Sequence, residues 1–344
     1  MSIFITGATG FIGNHVLAQL LEGGETVHVL SRRVPIDPDH PIGHLVDSRC
    51  VKIFQGDVLD RESLRRAMMG CDCVYHIAAF AQNWARDPGI FSAVNVGGAV
   101  NVLRTARDLA VRRVVVTSSE VALGPSNGTP VDPTAPRAAP AFTAYEQSKI
   151  DAERAIQEFS DKDNGVDVVI VNPTRVFGPG LLNEGNSVTR MIALYLGGKW
   201  RLILANGEAL GNYAYVRDVA NGHLLAMKHG RPGERYVLGG ENLSFNRFFE
   251  VLAELSHCRR HLLHVPAAAA LAFSRFEEAR GRATRHYPLI TPGWVRTFLC
   301  DWACSCEKSQ QELGYNITPF ADAVRETFEW LSRTGVRELS REGG

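Results

Sequence analysis

The chain opens with a strand, a glycine turn and a helix in close succession. A short apolar run at 3–5 meets Gly7-Ala-Thr9-Gly10-Phe11-Ile12-Gly13. Apolar residues at helical spacing follow at once through Val16, Leu17, Leu20 and Leu21. No other feature constrains the fold as much, because a strand passing into a helix through three glycines spaced three apart has few geometrical solutions. Gly7 can take a tight turn with positive φ. Gly10 leaves the backbone bare where a pyrophosphate would come close, and Gly13 lets the helix pack on the strand. The start of the helix then presents free N–H groups and a partial positive charge to the phosphates. Gly7, Thr9, Gly10, Phe11, Ile12 and Gly13 therefore read as a dinucleotide-binding turn. The alternative is a tight strand–helix turn that holds no ligand.

The rest of the first half repeats this alternation. Strand patterns fall at 26–31, 51–54, 73–77, 113–118 and 166–171, and helix patterns near 60–70, 88–111 and 143–163. Near-continuous apolar strands such as Arg113-Val-Val-Val-Thr117 suit a parallel sheet covered on both faces. Right-handed crossovers then give an α/β, doubly wound parallel sheet of Rossmann type. The second half is less regular. It shows helices at 188–196, 218–229 and 246–256, and short strands at 201–204, 213–216 and 236–238. We expect a dinucleotide-binding domain over 1–172, with later sheet elements near 211–240. A smaller, interleaved C-terminal substrate region is expected over 173–210 and 241–332, then a polar, frayed tail at 333–344. The long loop at 122–141 is expected to be functional.

Composition excludes several classes of partner. The 344 residues carry 37 basic and 37 acidic side chains, so nothing points to nucleic acid or an anionic membrane. The glycine strand begins at residue 3, which leaves no room for a signal peptide, and no apolar run is long enough to span a bilayer. The expectation is a cytoplasmic protein with reduced cysteines. Cys71/Cys73 and Cys304/Cys306 are C-x-C pairs, and the first precedes an apolar strand, so burial as small hydrophobes is favoured over metal binding. His257, His261 and His264 lack an acidic or thiolate partner set, and no metal site is expected.

At the cofactor end, the second strand closes on Ser31-Arg32-Arg33, with no carboxylate to take both ribose hydroxyls. Two guanidiniums suit a 2′-phosphate, so NADP is favoured and NAD remains possible. Asp57, followed by Val58, either contacts the adenine or caps the helix near Asp60. Ala78 and Ala79, after the fourth strand, let the backbone approach the cofactor. His76 reads as a packed strand-end residue.

At the chemical end, Tyr145 and Lys149 stand at i and i+4 on one helix face. Lys149 can lower the Tyr145 phenol from its ordinary pKa of roughly 10, and Tyr145 can pass a proton to or from an alkoxide. The fifth strand ends Thr117-Ser118-Ser119-Glu120, where a hydroxyl can polarise a carbonyl. Ser119 is the first choice and Ser118 the second.

Together, Gly7-x-x-Gly10-x-x-Gly13, Gly56-Asp57-Val58, His76-x-Ala78-Ala79, Ser119 and Tyr145-x-x-x-Lys149 resemble the extended short-chain dehydrogenases/reductases of the NAD-dependent epimerase/dehydratase family. So do Asn95-Val-Gly-Gly, Asn172-Pro173-Thr-Arg-Val-Phe-Gly-Pro179 and Tyr215-Val-Arg-Asp218. The resemblance implies a catalytic group of Ser119, Tyr145 and Lys149 supported by Asn95. It places Thr117, Pro173 and Val176 by the cofactor, and it implies a homodimer through the helices near 88–111 and 143–163.

Dehydratases of this family usually carry an Asp-Glu pair after the Ser/Thr. Here the positions are Glu120 and Val121, and Val121 cannot take a proton from carbon. Phe80, Trp84, Phe142, Met191, Tyr213 and Tyr215, with Glu120, are candidates for the pocket, and such a wall suits a small apolar or aromatic substrate. Residues 84–91 and 183–191 are the expected specificity segments. Arg175, Arg190 and Arg217 are the alternative, a diphosphate clamp, although Arg217 can equally pair with Asp218. The chain looks like the branch containing dihydroflavonol reductases and 3β-hydroxysteroid dehydrogenases. The leading expectation is an NADP(H)-dependent carbonyl reductase or alcohol dehydrogenase. The alternatives are a sugar-nucleotide epimerase or dehydratase with retained NAD, and a non-catalytic NADP-binding sensor.

Overall fold

Successive side chains of a strand point to opposite faces, and in this chain both faces are apolar. A computed structural model describes residues 2–33, 42–43, 48–160, 165–284 and 286–334. Most of the tail read at 333–344, and the last residues of the helix read at 143–163, lie outside them. The first half contributes β1 (Ser2–Thr6), α1 (Phe11–Glu22), β2 (Thr26–Ser31), β3 (Val51–Gln55), α2 (Arg61–Met68) and β4 (Cys73–His76). It continues through α3 (Gly89–Ser92), α4 (Gly98–Asp108), β5 (Arg113–Thr117), α5 (Glu120–Leu123), α6 (Ala144–Ser160) and β6 (Asp167–Pro173). Ile3, Ile5, Val27, Val29, Val115, Val169 and Val171 face one core with α1. Phe4, Val74, Val114, Val116, Val168 and Ile170 face the other, with α2, α4 and Ile156 of α6.

The second half supplies β7 (Arg175–Phe177), α7 (Ser187–Leu196), β8 (Leu202–Leu204), β9 (Leu210–Tyr215), α8 (Val216–His229) and β10 (Arg235–Leu238). After them come β11 (Glu241–Ser244), α9 (Phe245–Ser256), β12 (Leu263–Val265), α10 (Ala267–Thr284), α11 (Pro292–Leu299), α12 (Glu307–Leu313) and α13 (Phe320–Thr334). The main sheet has seven strands in the order β10-β6-β5-β4-β1-β2-β3, every pair parallel. This is the doubly wound α/β sheet that the alternation implies. The order reverses between β1 and β4, and the crevice beyond their C-terminal ends is where such sheets bind ligands. β11-β9-β7 and β12-β8 form two small separate sheets.

Three readings change. The stretch read as one helix over 88–111 is interrupted by a π-turn, Ala93–Gly97, between α3 and α4. The strand read at 213–216 starts earlier, at Leu210, and gives up Val216 to α8. The elements β7, β11, β12 and α10 to α13 carried no legible pattern. The strands among them are only three or four residues long, and α10 leaves Phe273 and Phe276 exposed. The helix α9 ends at Ser256, with His257 in the left-handed region at φ 51°. The loop at 122–141 begins with part of α5 and is bound to a distant segment. Ser126 N donates to Asp301 O (2.7 Å), Val131 N to Ala303 O (2.8 Å), and Ser305 N to Val131 O (2.9 Å).

Candidate active site

The three glycines of the turn divide into two kinds. Gly7 has φ 81°, and an added Cβ would stand 2.5 Å from Ala78 N. A Cβ on Gly13 would stand 2.1 Å from Gly7 O. The protein's own packing therefore demands both. A Cβ on Gly10 would meet only Gly7 O, at 3.2 Å. Gly10 caps α1 without a side-chain hydrogen bond, and no acid lies in the first turn. A bare, uncapped helix start beside a closely approaching strand fits a dinucleotide pyrophosphate. Across the switch point, Thr6 Oγ1 meets His76 Nδ1 at 2.8 Å and accepts from Ala78 N at 3.2 Å. Burial and the nearby Lys149 charge push His76 down to about 3, so it is neutral and packed. Ala79, beyond it, is exposed.

Arg32 and Arg33 are exposed at the end of β2. Their backbone is held by Ser31 Oγ donating to Arg33 O (2.5 Å) and Gln55 Nε2 donating to Arg32 O (3.4 Å). The cap of α2 is Asp60, whose Oδ1 accepts from Glu62 N at 3.0 Å. Asp57 instead closes a turn on Leu59 N at 2.9 Å. Val58 is buried against Gly98, whose added Cβ would lie 2.8 Å from it.

Ser119, Tyr145 and Lys149 come together at the C-terminal end of β5. Ser119 caps α5, accepting from Val121 N at 3.5 Å. Its hydroxyl also faces the Tyr145 phenol and favours the phenolate. Ser118, the second choice, is buried with its hydroxyl unpartnered. Lys149 Nζ donates to Thr117 O at 3.0 Å and lies 6.0 Å from the Tyr145 ring centroid. The Thr117 hydroxyl faces away, onto His223 Nε2 of α8 at 2.9 Å, so Thr117 offers the site its carbonyl.

The electrostatics differ from the sequence reading in one respect. Lys149 was expected to lower the phenol. Instead burial pushes Tyr145 up to about 12, with the neighbouring Ser119 hydroxyl opposing and Glu120 reinforcing the rise. Burial also brings Lys149 down to about 8, opposed by Glu153. At neutral pH this gives a protonated phenol beside a charged ammonium.

The π-turn aims Asn95 into the same space. Its Oδ1 accepts from Phe80 N (2.8 Å) and its Nδ2 donates to Ser148 Oγ (2.8 Å), between Tyr145 and Lys149. Phe91 stands edge-on to Phe80 at 4.9 Å and lies 6.5 Å from Tyr145. Pro173 ends β6 opposite Leu238, and Val176 is buried in β7 opposite Ala214.

The walls come from three directions. Asn83 Nδ2 donates to Glu184 Oε2 (3.2 Å), and Asn83 Oδ1 accepts from Trp294 Nε1 of α11. Trp84 stands edge-on to Tyr287 at 5.6 Å, and its backbone N–H donates to the Tyr287 hydroxyl. The expected segments 84–91 and 183–191 are thus joined by the unforeseen α10–α11 region. Glu146 is a second junction that sequence reasoning missed. It accepts from Phe142 N (2.9 Å), Arg137 Nη2 (3.1 Å) and Thr297 Oγ1 of α11 (2.9 Å). The Thr143-x-x-Glu146 capping signature could have flagged it.

Other candidates fall elsewhere. Met191 is buried in the core of the α1 face. The Tyr215 hydroxyl donates to Glu326 of α13 at 2.6 Å. Arg217 pairs with Glu326 at 2.9 Å and not with Asp218, whose carboxylate takes Thr318. Arg190 is exposed. Only Arg175 of the three arginines is enclosed beside the site, so no diphosphate clamp forms from them. Tyr213 is buried with Arg175 over its ring. Burial pushes Glu120 up to about 8, opposed by Arg175 and Cys304. All seven cysteines are free. Among the described residues, no group of three or more His, Cys, Asp or Glu could hold a metal ion, and no helix is long and apolar enough to cross a membrane.

A sequence profile of the NAD-dependent epimerase/dehydratase family matches residues 3–239. A Synechocystis sp. protein, provisionally named a dihydroflavonol 4-reductase, is 30% identical, covering 96% of this chain and 95% of its own. Sterol demethylase protein B of Methylococcus capsulatus is 30% identical, covering 98% and 100%. The crystal structure of UDP-glucose 4-epimerase from Thermotoga maritima, at 22% identity, has a TM-score of 0.78. It covers 97% of this chain and 99% of its own, and it shares the fold.

Proposed function

Because the chain belongs to the NAD-dependent epimerase/dehydratase family, whose members include NAD(P)-dependent enzymes acting on CH–OH or carbonyl groups, we propose that it interconverts a ketone or aldehyde and an alcohol on an apolar or aromatic substrate, with NADP(H) as an exchangeable cofactor. The observation that carries this reading is the convergence of Ser119, Tyr145 and Lys149 at the end of β5, with the aromatic pair Phe80 and Phe91 beside Tyr145. The full-length relatives bear the names of a reductase and a sterol demethylase, which supports an apolar substrate over a sugar diphosphate.

The uncapped start of α1 would hold the pyrophosphate, Arg32 and Arg33 a 2′-phosphate, and Lys149 the nicotinamide ribose. When bound, the nicotinamide supplies or accepts the hydride. Ser119 orients the substrate oxygen. Tyr145, protonated at neutral pH, gives its proton to the developing alkoxide and takes it back in the oxidative direction. The Lys149 charge stabilises the phenolate left behind. Val121 leaves no second acid for proton abstraction from carbon. We place the enzyme in the cytoplasm, consistent with its free cysteines, and as a homodimer paired through the outer faces of α4 and α6.

The reading is tested with NADPH and 2-acetonaphthone. The wild type should transfer deuterium from 4-deuterated NADPH to the carbinol carbon. Tyr145→Phe should lose roughly 10²–10⁴-fold in rate while NADPH fluorescence shows unchanged binding. Undiminished activity of the variant, or turnover of UDP-glucose without release of a nicotinamide, would contradict it.

A further inference from the structure

The balanced total charge hides an uneven distribution. Residues 257–284 carry five arginines against two glutamates, in a chain with 37 basic and 37 acidic side chains overall. Most of that stretch is α10, which packs with its polar side inward. Ser274 is 0% and Glu277 4% exposed. Glu277 accepts from Arg280 through both carboxylate oxygens, at 2.9 and 2.8 Å, and from Leu289 N at 3.2 Å. An added Cβ on Gly281, on the same side, would fall 2.9 Å from His286 O. These contacts fix how the helix is turned. They leave Ala269, Ala272, Phe273, Phe276, Ala279 and Ala283 outside, all exposed, with Phe273 at 49% and Phe276 at 63%. At 3.6 residues per turn these six cover about a third of the helix circumference. Arg280 falls within that arc but is folded back onto Glu277. An apolar face toward water and a polar face toward protein reverse the usual arrangement of a surface helix, and such a patch marks an interaction surface.

We propose that this face of α10 docks on a membrane surface rich in anionic lipid. Charge selects that occupant. Arg275 and Arg282, both exposed, border the stripe and line one shallow depression with Ala279, Ala283 and Glu278. Glu278 pairs with Arg282 at 3.2 Å, and that guanidinium remains 71% exposed. Among the described residues no carboxylate pairs with Arg275. The strand before α10 adds Leu263, opposite Leu202 of β8 in register, and both are exposed. Aromatic and small apolar side chains on one face, with arginines at its border, suit a helix lying in the plane of a bilayer surface. The rings enter the headgroup boundary and the guanidiniums meet lipid phosphates. The helix lies on the bilayer and does not cross it, because its other side carries Ser274 and Glu277. A second copy of the chain fits less well. A two-fold contact sets a patch against itself, and would bring Arg275 and Arg282 toward their own counterparts.

The test is flotation of the full chain with vesicles of phosphatidylcholine alone, and with vesicles in which about one third is replaced by phosphatidylglycerol. The wild type should bind the phosphatidylglycerol vesicles, and raised salt should weaken that binding. Phe273→Ser/Phe276→Ser should lower the partition roughly tenfold or more, and Arg275→Gln/Arg282→Gln a few-fold. Both pairs are exposed, so the variants should keep the wild-type melting midpoint, which is measured alongside. Failure of the wild type to bind overturns the proposal without reference to any variant. Equal binding to the two kinds of vesicle, or binding undiminished in Phe273→Ser/Phe276→Ser, also overturns it. Sedimentation without vesicles tests the other occupant: self-association that Phe273→Ser/Phe276→Ser abolishes would assign the face to a second copy and overturn membrane docking. Binding is read without turnover, so its failure leaves the reductase reading untouched, and failure of that reading leaves the docking face in place.

Discussion

The floor of the site and its walls are held by different means. The floor, from Gly7 to Lys149, is set by main chain: parallel strands, a turn with two sterically required glycines, and a lysine ammonium on the Thr117 carbonyl. The walls are set by side chains reaching between distant segments, Asn83 to Glu184 and Trp294, and Glu146 to Arg137 and Thr297. A floor of this kind fixes the chemistry and tolerates little change. Walls tied by single hydrogen bonds can be exchanged, and so can carry specificity.

Substitutions in the two regions should therefore differ in kind. Gly13→Val drives a side chain into Gly7 O and should destabilise by about 3 kcal/mol or more, read as a large fall in the denaturant midpoint with loss of nicotinamide binding. A near-wild-type midpoint would mean that the floor is not held as described.

Glu120→Gln, at the border, tests electrostatics. A carboxyl raised to about 8 when folded contributes stability that is full below its ordinary value and is lost as pH rises through about 8. Between those limits the wild type should lose roughly 1–2 kcal/mol, discounted for coupling to Arg175, and the variant should show a flatter profile. Parallel profiles would place Glu120 in water.

The smallest effect belongs to the walls. Trp294→Phe removes the donor to Asn83 and should cost about 1 kcal/mol. It should raise KM for an apolar ketone a few-fold and leave kcat and KM for NADPH unchanged. A fall in kcat instead would tie the wall to the floor.

The same division explains what was legible in the sequence. The glycines at 7, 10 and 13, the strand alternation and the Tyr145/Lys149 spacing are local consequences of backbone geometry, and they found their structural places. The direction of the Tyr145 shift was misjudged because burial of the phenol outweighs the neighbouring charge, and burial is not visible from spacing. Asn83, Glu184, Trp294 and Thr297 were invisible because their partners lie 101 to 211 residues away. Met191 and Tyr215 misled for the opposite reason: an aromatic or sulfur side chain near a predicted pocket is equally suited to core, where both are buried.

The central claim is that this site works on an external carbonyl with an exchangeable NADP(H). The most direct measurement is the nicotinamide content of the purified protein before and after dialysis, followed by titration with NADPH and NADH. The account predicts a site that empties and then binds NADPH roughly tenfold or more tightly than NADH, with the difference lost in Arg32→Ala/Arg33→Ala. Stoichiometric NAD that survives dialysis would contradict it and indicate an internal redox cycle.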